Sequence, residues 1–253
     1  DLERFGEPKI FPTPQTYEDG VAAIVEAAKQ GAAGESVEGI AIGFPGVISK
    51  DDRSLITAPN IKGWAEKPLA DDLERSIGGR VHIENDAALV GLGEAHFGAG
   101  RGCRVLMYMT VSTGVGGVRL VNGRIDSPEH SAEIGHEYIN IGDGLQEFSE
   151  LISGKAIQKR FGKPPRELGK DNPVWEELAR TTAIGVHNSV LYWTPERVVL
   201  GGSMFNEIGI PVERVRFHLK EIMTSFPDIP EIVHSALGDV GGLWGGLALL
   251  KQS

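Results

Sequence analysis

The chain has 253 residues, of which 41% are hydrophobic and 24% charged, which is ordinary for a globular protein large enough to bury a sizeable core. Its formal net charge of −10 argues against non-specific binding to nucleic acid, which requires clustered Lys and Arg. No apolar run reaches the roughly 18 residues of a membrane helix, and the start DLERFGEPKI lacks the features of a signal peptide. Because Cys103 is the one cysteine of the chain, internal disulfides are excluded and a reducing cytoplasm is the expected location.

Strand-like and helix-like patterns alternate along the chain. Helical spacing of apolar residues, or proline at a first helical turn, predicts helices over 18–31, 87–97, 145–161, 174–193, 212–223 and 243–251. Buried or alternating β-prone runs predict strands over 38–44, 81–85, 104–112, 198–200 and 231–236. Asn122-Gly123 predicts the turn of a hairpin. Alternation of this kind predicts an α/β fold.

A candidate catalytic carboxylate follows the strand that ends near residue 85. Asp86 lies between this strand and the next helix, at the edge where open α/β sheets bind their ligands. An Asp there can accept the proton of a hydroxyl nucleophile during phosphoryl transfer. It can equally cap the helix that follows. Asn85 offers an amide to ligand hydroxyls, with a structural turn as its alternative.

Glycine-rich turns follow two later strands. In STGVGG (112–117), the glycines lack dinucleotide-motif spacing and a hairpin follows instead of a helix. This pattern predicts a turn whose amides approach phosphate closely, aided by the hydroxyls of Ser112 and Thr113. A tight turn without a ligand is the alternative. Gly201-Gly202-Ser203 follows another strand and is interpreted as a nucleoside contact or as a plain β-to-α turn.

These motifs carry a family resemblance when read with GFPGV (43–47), APNIKGW (58–64), FGAGRG (97–102), AEIGH (132–136), SGKAI (153–157), VVLGGS (198–203) and LGDVGGLWGGLAL (237–249). In this order the chain resembles the ROK family of bacterial sugar kinases and sugar-responsive repressors, members of the actin-like ATPase superfamily. The resemblance implies an actin-like ATPase (ribonuclease H-like) α/β fold of two lobes with a cleft between them. Residues 1–102 with 241–253 would form the N-terminal lobe, and 103–240 the C-terminal lobe.

The resemblance also implies a site. Asp86 would be the general base, and ATP with Mg²⁺ the phosphoryl donor. The candidates for sugar binding are Gly46, Asn60, Asn85, Glu133, His136 and Glu150, with loop turns as the alternative for Gly46 and Asn60. The candidates for nucleotide binding are Thr113, Gly114, Gly116, Gly201 and Gly202. The expected partners are a sugar and ATP, without nucleic acid or membrane, in a homodimer.

The sequence departs from the family pattern in three places. The family histidine at His136 usually also binds a structural zinc with three downstream cysteines, which are absent here, so no structural zinc is expected. The sugar-contacting Glu of the family falls on Ser149, flanked by Glu147 and Glu150, and a one-residue shift turns a helical side chain by about 100°. Residue 1 lies just past the family's first hairpin, with its Asp-x-Gly-Gly-Thr-like phosphate turn. Either that hairpin is encoded upstream or the chain lacks it.

Two functions therefore remain open at the level of sequence. The first is an ATP-dependent hexose or N-acetylhexosamine kinase, favoured by Asp86 and STGVGG. The second is a non-catalytic sugar-binding or regulatory protein on the same fold, favoured by the departures. A DNA-binding repressor is disfavoured because no helix-turn-helix precedes the motifs.

Overall fold

A computed structural model describes residues 6–58, 61–126, 131–142 and 144–252. Its α-helices are α1 Tyr17–Ala32, α2 Leu69–Ile77, α3 Asp86–Phe97, α4 Phe148–Ile152, α5 Gly154–Phe161, α6 Val174–Trp193, α7 Val212–Ile222 and α8 Gly241–Gln252. Its strands are β1 Gly39–Phe44, β2 Arg80–Asn85, β3 Val105–Val111, β4 Val115–Val121, β5 Arg124–Ile125, β6 Tyr138–Asn140, β7 Leu145–Glu147, β8 Arg197–Gly201 and β9 Glu231–His234. Within the described ranges, no helix combines the length and apolar character needed to cross a membrane.

The chain divides into two compact units. Of the described residues, those within 6–93, 131 and 240–252 form unit 1, and those within 94–126 and 132–239 form unit 2. The division falls inside α3, so the start of that helix belongs to unit 1 and its end to unit 2.

Unit 1 is built on the parallel pair β1–β2, in which Gly39 lies opposite Arg80 and Phe44 opposite Asn85. Its core surrounds Trp64, whose ring lies 5.8 Å from that of Tyr17. Glycine is required where helices approach closely. A Cβ on Gly245 of α8 would lie 1.7 Å from the carbonyl oxygen of Leu89 in α3, so α8 and α3 meet backbone to backbone.

Unit 2 is built on a five-stranded sheet in the order β5-β4-β3-β8-β9. Strands β3, β8 and β9 are parallel, while β4 and β5 are antiparallel to their neighbours. Helix α6 buries Leu178, Ala183 and Val186 in a core that also contains Met107 of β3 and Leu219 of α7. A separate hairpin, β6–β7, precedes α4.

The predicted alternation of strands and helices is confirmed, and most boundaries agree within about two residues. The turn at Asn122-Gly123 has positive φ at both residues, as a type I′ hairpin requires. The single helix predicted over 145–161 is correct only in part, because the segment forms a short strand and two helices. Its first residues form β7, and α4 ends before Ser153, whose hydroxyl accepts a hydrogen bond from the Ala156 N–H and so starts α5. Helix α2 was not predicted.

Candidate functional site

The junction of β2 and α3 is organised by the amide side chain of Asn85. Its Oδ1 accepts hydrogen bonds from the N–H groups of Ala87 (2.9 Å) and Ala88 (3.2 Å), which caps α3. Its Nδ2 donates to the carbonyl of Gly46 at 3.1 Å. The capping role considered for Asp86 therefore belongs to Asn85, and the carbonyl of Gly46 is engaged by that side chain.

Asp86 is the first residue of α3 and its side chain is exposed. Its Oδ1 accepts one hydrogen bond, from the N–H of Ala87 at 2.8 Å. A Cβ on Gly43 would lie 3.3 Å from the Asp86 Cα, so β1 packs directly beneath this residue. Partial burial of the carboxyl raises the pKa of Asp86, although the hydrogen bond from the Ala87 N–H acts in the opposite direction. A carboxylate with a raised pKa is a better proton acceptor.

Asn60, another candidate for sugar binding, lies outside the described residues. Glu84 precedes Asn85 and accepts the Asn85 backbone N–H at 2.7 Å. Burial raises the pKa of Glu84, and the negative charge of Asp52 adds to that effect. Glu84 lines a cavity of about 560 Å³ along β2, together with Asp52 and His82. None of the predicted site residues that the structure describes lines this cavity.

Three predicted segments meet in unit 2 around Ser112. The Ser112 N–H donates to the carbonyl of Gly114 at 2.8 Å, which closes the turn between β3 and β4. The Ser112 carbonyl accepts from the N–H of Gly154 at 2.7 Å, at the start of α5. The Ser112 hydroxyl lies 3.0 Å from that of Ser203. The STGVGG, SGKAI and VVLGGS motifs are thus adjacent, and Thr113, Gly114 and Ser203 are exposed.

The predicted nucleotide-binding glycines differ in what surrounds them. A Cβ on Gly202, whose φ is +93°, would lie 2.4 Å from the Val111 carbonyl oxygen, and one on Gly201 would lie 2.7 Å from the Tyr108 hydroxyl. Packing of β8 against β3 therefore explains these two glycines without a ligand. A Cβ on Gly114 would meet Ser149 Oγ at 3.8 Å, so space remains at the turn itself. Gly116 lies within β4 opposite Thr110.

The AEIGH motif forms a 3-10 turn, Ile134–His136, that lies on β4. A Cβ on Gly135 would come within 2.3 Å of the Val115 carbonyl oxygen, and one on Gly117 within 2.3 Å of Ile134. These two glycines allow the turn to lie directly on the strand that follows Gly114. Glu133 and His136 are therefore carried by the same part of unit 2 as the glycine turn.

His136 lies between two carboxylates. Its Nδ1 is 2.8 Å from Glu147 Oε1, and its Nε2 is 3.9 Å from Glu133 Oε2. The predicted candidate Glu150 instead lies 3.8 Å from Lys159 Nζ. In the sequence, Glu147 stands out only as a neighbour of Ser149. Glu147 lies beside His136 because β7 pairs with β6. No pattern in the residues of this segment predicts that pairing.

The described residues contain no group of three or more His, Cys, Asp or Glu side chains arranged to hold a metal ion. Beside His136, the carboxyl of Glu137 turns inward and accepts a hydrogen bond from Asn188 Nδ2 at 3.3 Å. Burial raises the pKa of Glu137, and the Asn188 hydrogen bond opposes that shift.

The chain matches the ROK family over residues 4–253. It is a member of the ROK family. This ROK chain is 41% identical to a glucokinase of Halalkalibacterium halodurans, over 85% of its own length and 76% of that relative. It is also 25% identical to a xylose repressor of Caldicellulosiruptor bescii, over 85% of its length and 63% of the repressor.

The fold agrees with this membership. A ROK family glucokinase from Streptomyces griseus, solved in complex with glucose and AMPPNP, superposes on the chain with a TM-score of 0.79 at 26% identity, covering 95% of the chain and 90% of that structure. The fold class predicted from the sequence is confirmed, since the ROK sugar kinases have the actin-like ATPase fold.

Proposed function

We propose that the chain transfers the γ-phosphate of ATP to a hydroxyl of a hexose or N-acetylhexosamine, with Asp86 as the general base. The sugar oxygen attacks phosphorus, its proton passes to the Asp86 carboxylate, and ADP leaves. The observation that carries this proposal is the state of Asp86. Asp86 is reachable from solvent, partial burial of its carboxyl raises its pKa, and the helix cap beside it is supplied by Asn85.

The turn around Ser112 suits the phosphates of a nucleotide. The hydroxyls of Ser112, Thr113 and Ser203 and the backbone at Gly114 provide donors of the kind that bind phosphate. We assign Thr113, Gly114 and Gly116 to the phosphates, and Gly201 and Gly202 to the nucleoside. Mg²⁺ commonly takes its ligands from substrate phosphates and one or two carboxylates, so the nucleotide itself would bring most of them.

On the sugar side, we assign direct contacts to Glu133 and His136, because both present polar atoms beside one another. Asn85 and Gly46 would shape the loop beside Asp86, because the Asn85 side chain donates a hydrogen bond to the Gly46 carbonyl. Asn60 stays a candidate. We leave Glu150 out of the proposed site, since its carboxylate is directed towards Lys159.

A sugar-responsive regulator is the second candidate, and the likeness to a xylose repressor favours it. Such a protein would bind sugar without consuming ATP. For the kinase, we further propose action in the cytoplasm as a homodimer, without nucleic acid. Light scattering of the purified protein tests the dimer.

The deciding experiment combines binding with turnover on the full-length protein. A panel of hexoses and N-acetylhexosamines is screened by thermal melting, where a ligand at a hundredfold excess over its Kd stabilises by about 2.7 kcal/mol. Release of ADP is then measured with each sugar that binds. Sugar-dependent ADP release supports the kinase. Binding without ADP release supports the regulator, and no binding across the panel contradicts both.

A further inference from the structure

Among the described residues, the imidazole of His136 has a partner within hydrogen-bond distance at one ring nitrogen. Glu147 Oε1 lies 2.8 Å from Nδ1, within the length of a charge-assisted hydrogen bond. On the other side, Glu133 Oε2 lies 3.9 Å from Nε2, beyond hydrogen-bond length. The two ring nitrogens of His136 therefore have different environments.

The fold holds Glu147 firmly beside this ring. Glu147 ends β7 opposite Tyr138, and the next residue donates its N–H to the Glu137 carbonyl at 2.8 Å. That next residue, Phe148, is fully buried and packs against Gly185 of α6. The Glu147 side chain is 28% exposed, whereas that of His136 is 67% exposed. The carboxylate is thus the anchored member of the pair.

We propose that Glu147 is a positioning residue that keeps the proton of neutral His136 on Nδ1 and presents Nε2 as a hydrogen-bond acceptor. A carboxylate oxygen 2.8 Å from Nδ1 would repel a lone pair there, so Nδ1 carries the proton and the other nitrogen is left without one. Nε2 and the Glu133 carboxylate then form a pair of acceptors for ligand hydroxyls. Since a hydroxyl has one proton to donate, two acceptors 3.9 Å apart would receive their hydrogen bonds from two neighbouring hydroxyls.

The consequence for sugar binding rests on the proposed function, while the tautomer of His136 does not. Two acceptors side by side select a ligand that donates from neighbouring hydroxyls. Loss of the anchor would let the ring rotate and exchange tautomers, which weakens that selection. Partners that orient a metal-ligating histidine typically contribute on the order of 10- to 100-fold to metal affinity or activity, and we expect an effect at the lower end of that range for the partner of His136.

The first arm of the test is nitrogen NMR of the His136 ring at a pH where the imidazole is neutral, without any ligand. The proton is expected on Nδ1 in the wild-type chain, and in Glu147→Ala it is expected to move to Nε2, which free histidine favours. Glu147→Gln, whose side-chain oxygen can still accept from Nδ1, should retain the Nδ1–H form. A tautomer that is the same in wild type and Glu147→Ala overturns the proposal, whether or not the protein is a kinase.

The second arm measures sugar binding and turnover. Glu147→Ala is expected to raise the KM for sugar by about tenfold with the KM for ATP unchanged, and Glu147→Gln is expected to restore most of the loss. Glu207→Ala removes an exposed carboxylate elsewhere in unit 2 and serves as the control for charge. An unchanged sugar KM in Glu147→Ala overturns the assigned role. If the wild type binds no sugar, the proposed function fails, and the NMR arm alone decides the role of Glu147.

Discussion

The protonation state of Asp86 that favours stability differs from the one that the proposed catalysis requires. The raised pKa means that the folded state favours its protonated, neutral form. Its contribution to stability is therefore greatest below the unfolded-state pKa and is lost as pH rises through the folded-state pKa. At neutral pH, the ionised carboxylate that the proposed general base requires is a cost to stability.

Asp86→Asn should separate these effects. We expect turnover to fall by about 10² to 10⁴, because the proton acceptor is removed, with a modest change in sugar affinity. We expect the melting temperature at neutral pH to rise, because an uncharged amide avoids the desolvation of the carboxylate. Steady-state kinetics and thermal melting measure both, with Asp171→Asn, at an exposed position, as the control. Near wild-type turnover in Asp86→Asn would remove this residue as the base.

The pH profile of catalysis follows from the same shift. Only the ionised carboxylate accepts a proton, so kcat/KM should fall as pH decreases through the pKa of Asp86. Because packing raises that pKa above the usual 3.8, the acid limb is expected at a higher pH than an ordinary Asp would give. A profile from pH 4 to 8, with stability monitored at each point, locates the limb. Activity that persists unchanged down to pH 4 contradicts this expectation.

At the scale of single residues, the sequence predicts the position of Asp86 between a strand and a helix better than it predicts which residue caps that helix. The position of an Asp between a strand and a helix is visible in the residue order. Whether Asn85 or Asp86 caps the helix depends on the residue at which the helix begins. The two possible starts differ by one residue. Glu147 was missed because its position beside His136 comes from the pairing of β6 with β7.

At the scale of elements, the break in the helix predicted over 145–161 has a local cause. Ile152 at the end of α4 and Ile157 in α5 are both fully buried. The apolar spacing therefore continues across the break between the two helices. Ser153 interrupts the helix because its hydroxyl supplies the first hydrogen bond of α5. Helix continuity is thus decided by one cap that the hydrophobic pattern does not reveal.

Glu94 joins the end of α3 to two other segments of unit 2. This carboxylate is fully buried, and it accepts backbone N–H groups from Ala99 at 2.7 Å and from Ala236 and Leu237 at 2.9 Å. Glu94→Gln replaces one acceptor oxygen with an NH₂ group that faces donors. We expect a loss of about 3 kcal/mol in unfolding free energy, measured by urea denaturation against Glu207→Gln. A loss below about 0.5 kcal/mol, the range of ordinary surface substitutions, would show that these hydrogen bonds are dispensable.

Glu74 joins α2 to a loop and to β2 within unit 1. It pairs with both terminal nitrogens of Arg53, at 3.0 and 2.7 Å, and accepts the N–H of Val81 at 2.9 Å. The Arg53 hydrogen bonds, followed by that from Val81, lower the pKa of Glu74 from 4.5 to about 2. Its contribution to stability is therefore present above pH 4.5 and is lost as pH falls through 2.

Glu74→Gln tests this link. Because both partners are about a third exposed, we expect a loss of roughly 1 kcal/mol at pH 7, and a smaller difference from the wild type as pH falls towards 3. Denaturant unfolding at pH 7 and pH 3 measures the loss in unfolding free energy. Glu26→Gln, on the exposed face of α1, is the control. A difference that stays constant from pH 7 to 3 would show that the charge of Glu74 does not contribute.

At the scale of the whole molecule, the order of motifs was the most informative part of the sequence. Each short motif is ambiguous, as Gly201 and Gly202 illustrate, because strand packing alone requires glycine there. Their order over nearly the full length predicted the ROK family, which the match over residues 4–253 confirms. The predicted lobe boundaries at 102 and 241 stay a prediction.

At the scale of the whole molecule, the chain should differ from the family pattern most clearly in its zinc content. A closed structural zinc site needs four nitrogen or sulfur ligands, and the chain offers one cysteine, Cys103. In place of the family's cysteine loop, the segment after His136 forms the β6–β7 ladder and buries Ile139. Its conformation is therefore held by backbone pairing and an apolar contact. We expect the purified protein to contain far less than one zinc per chain, and its melting temperature to be unchanged by a chelator. A structural zinc couples metal loss to unfolding, so one tightly held zinc with chelator-induced unfolding would overturn this account of the hairpin.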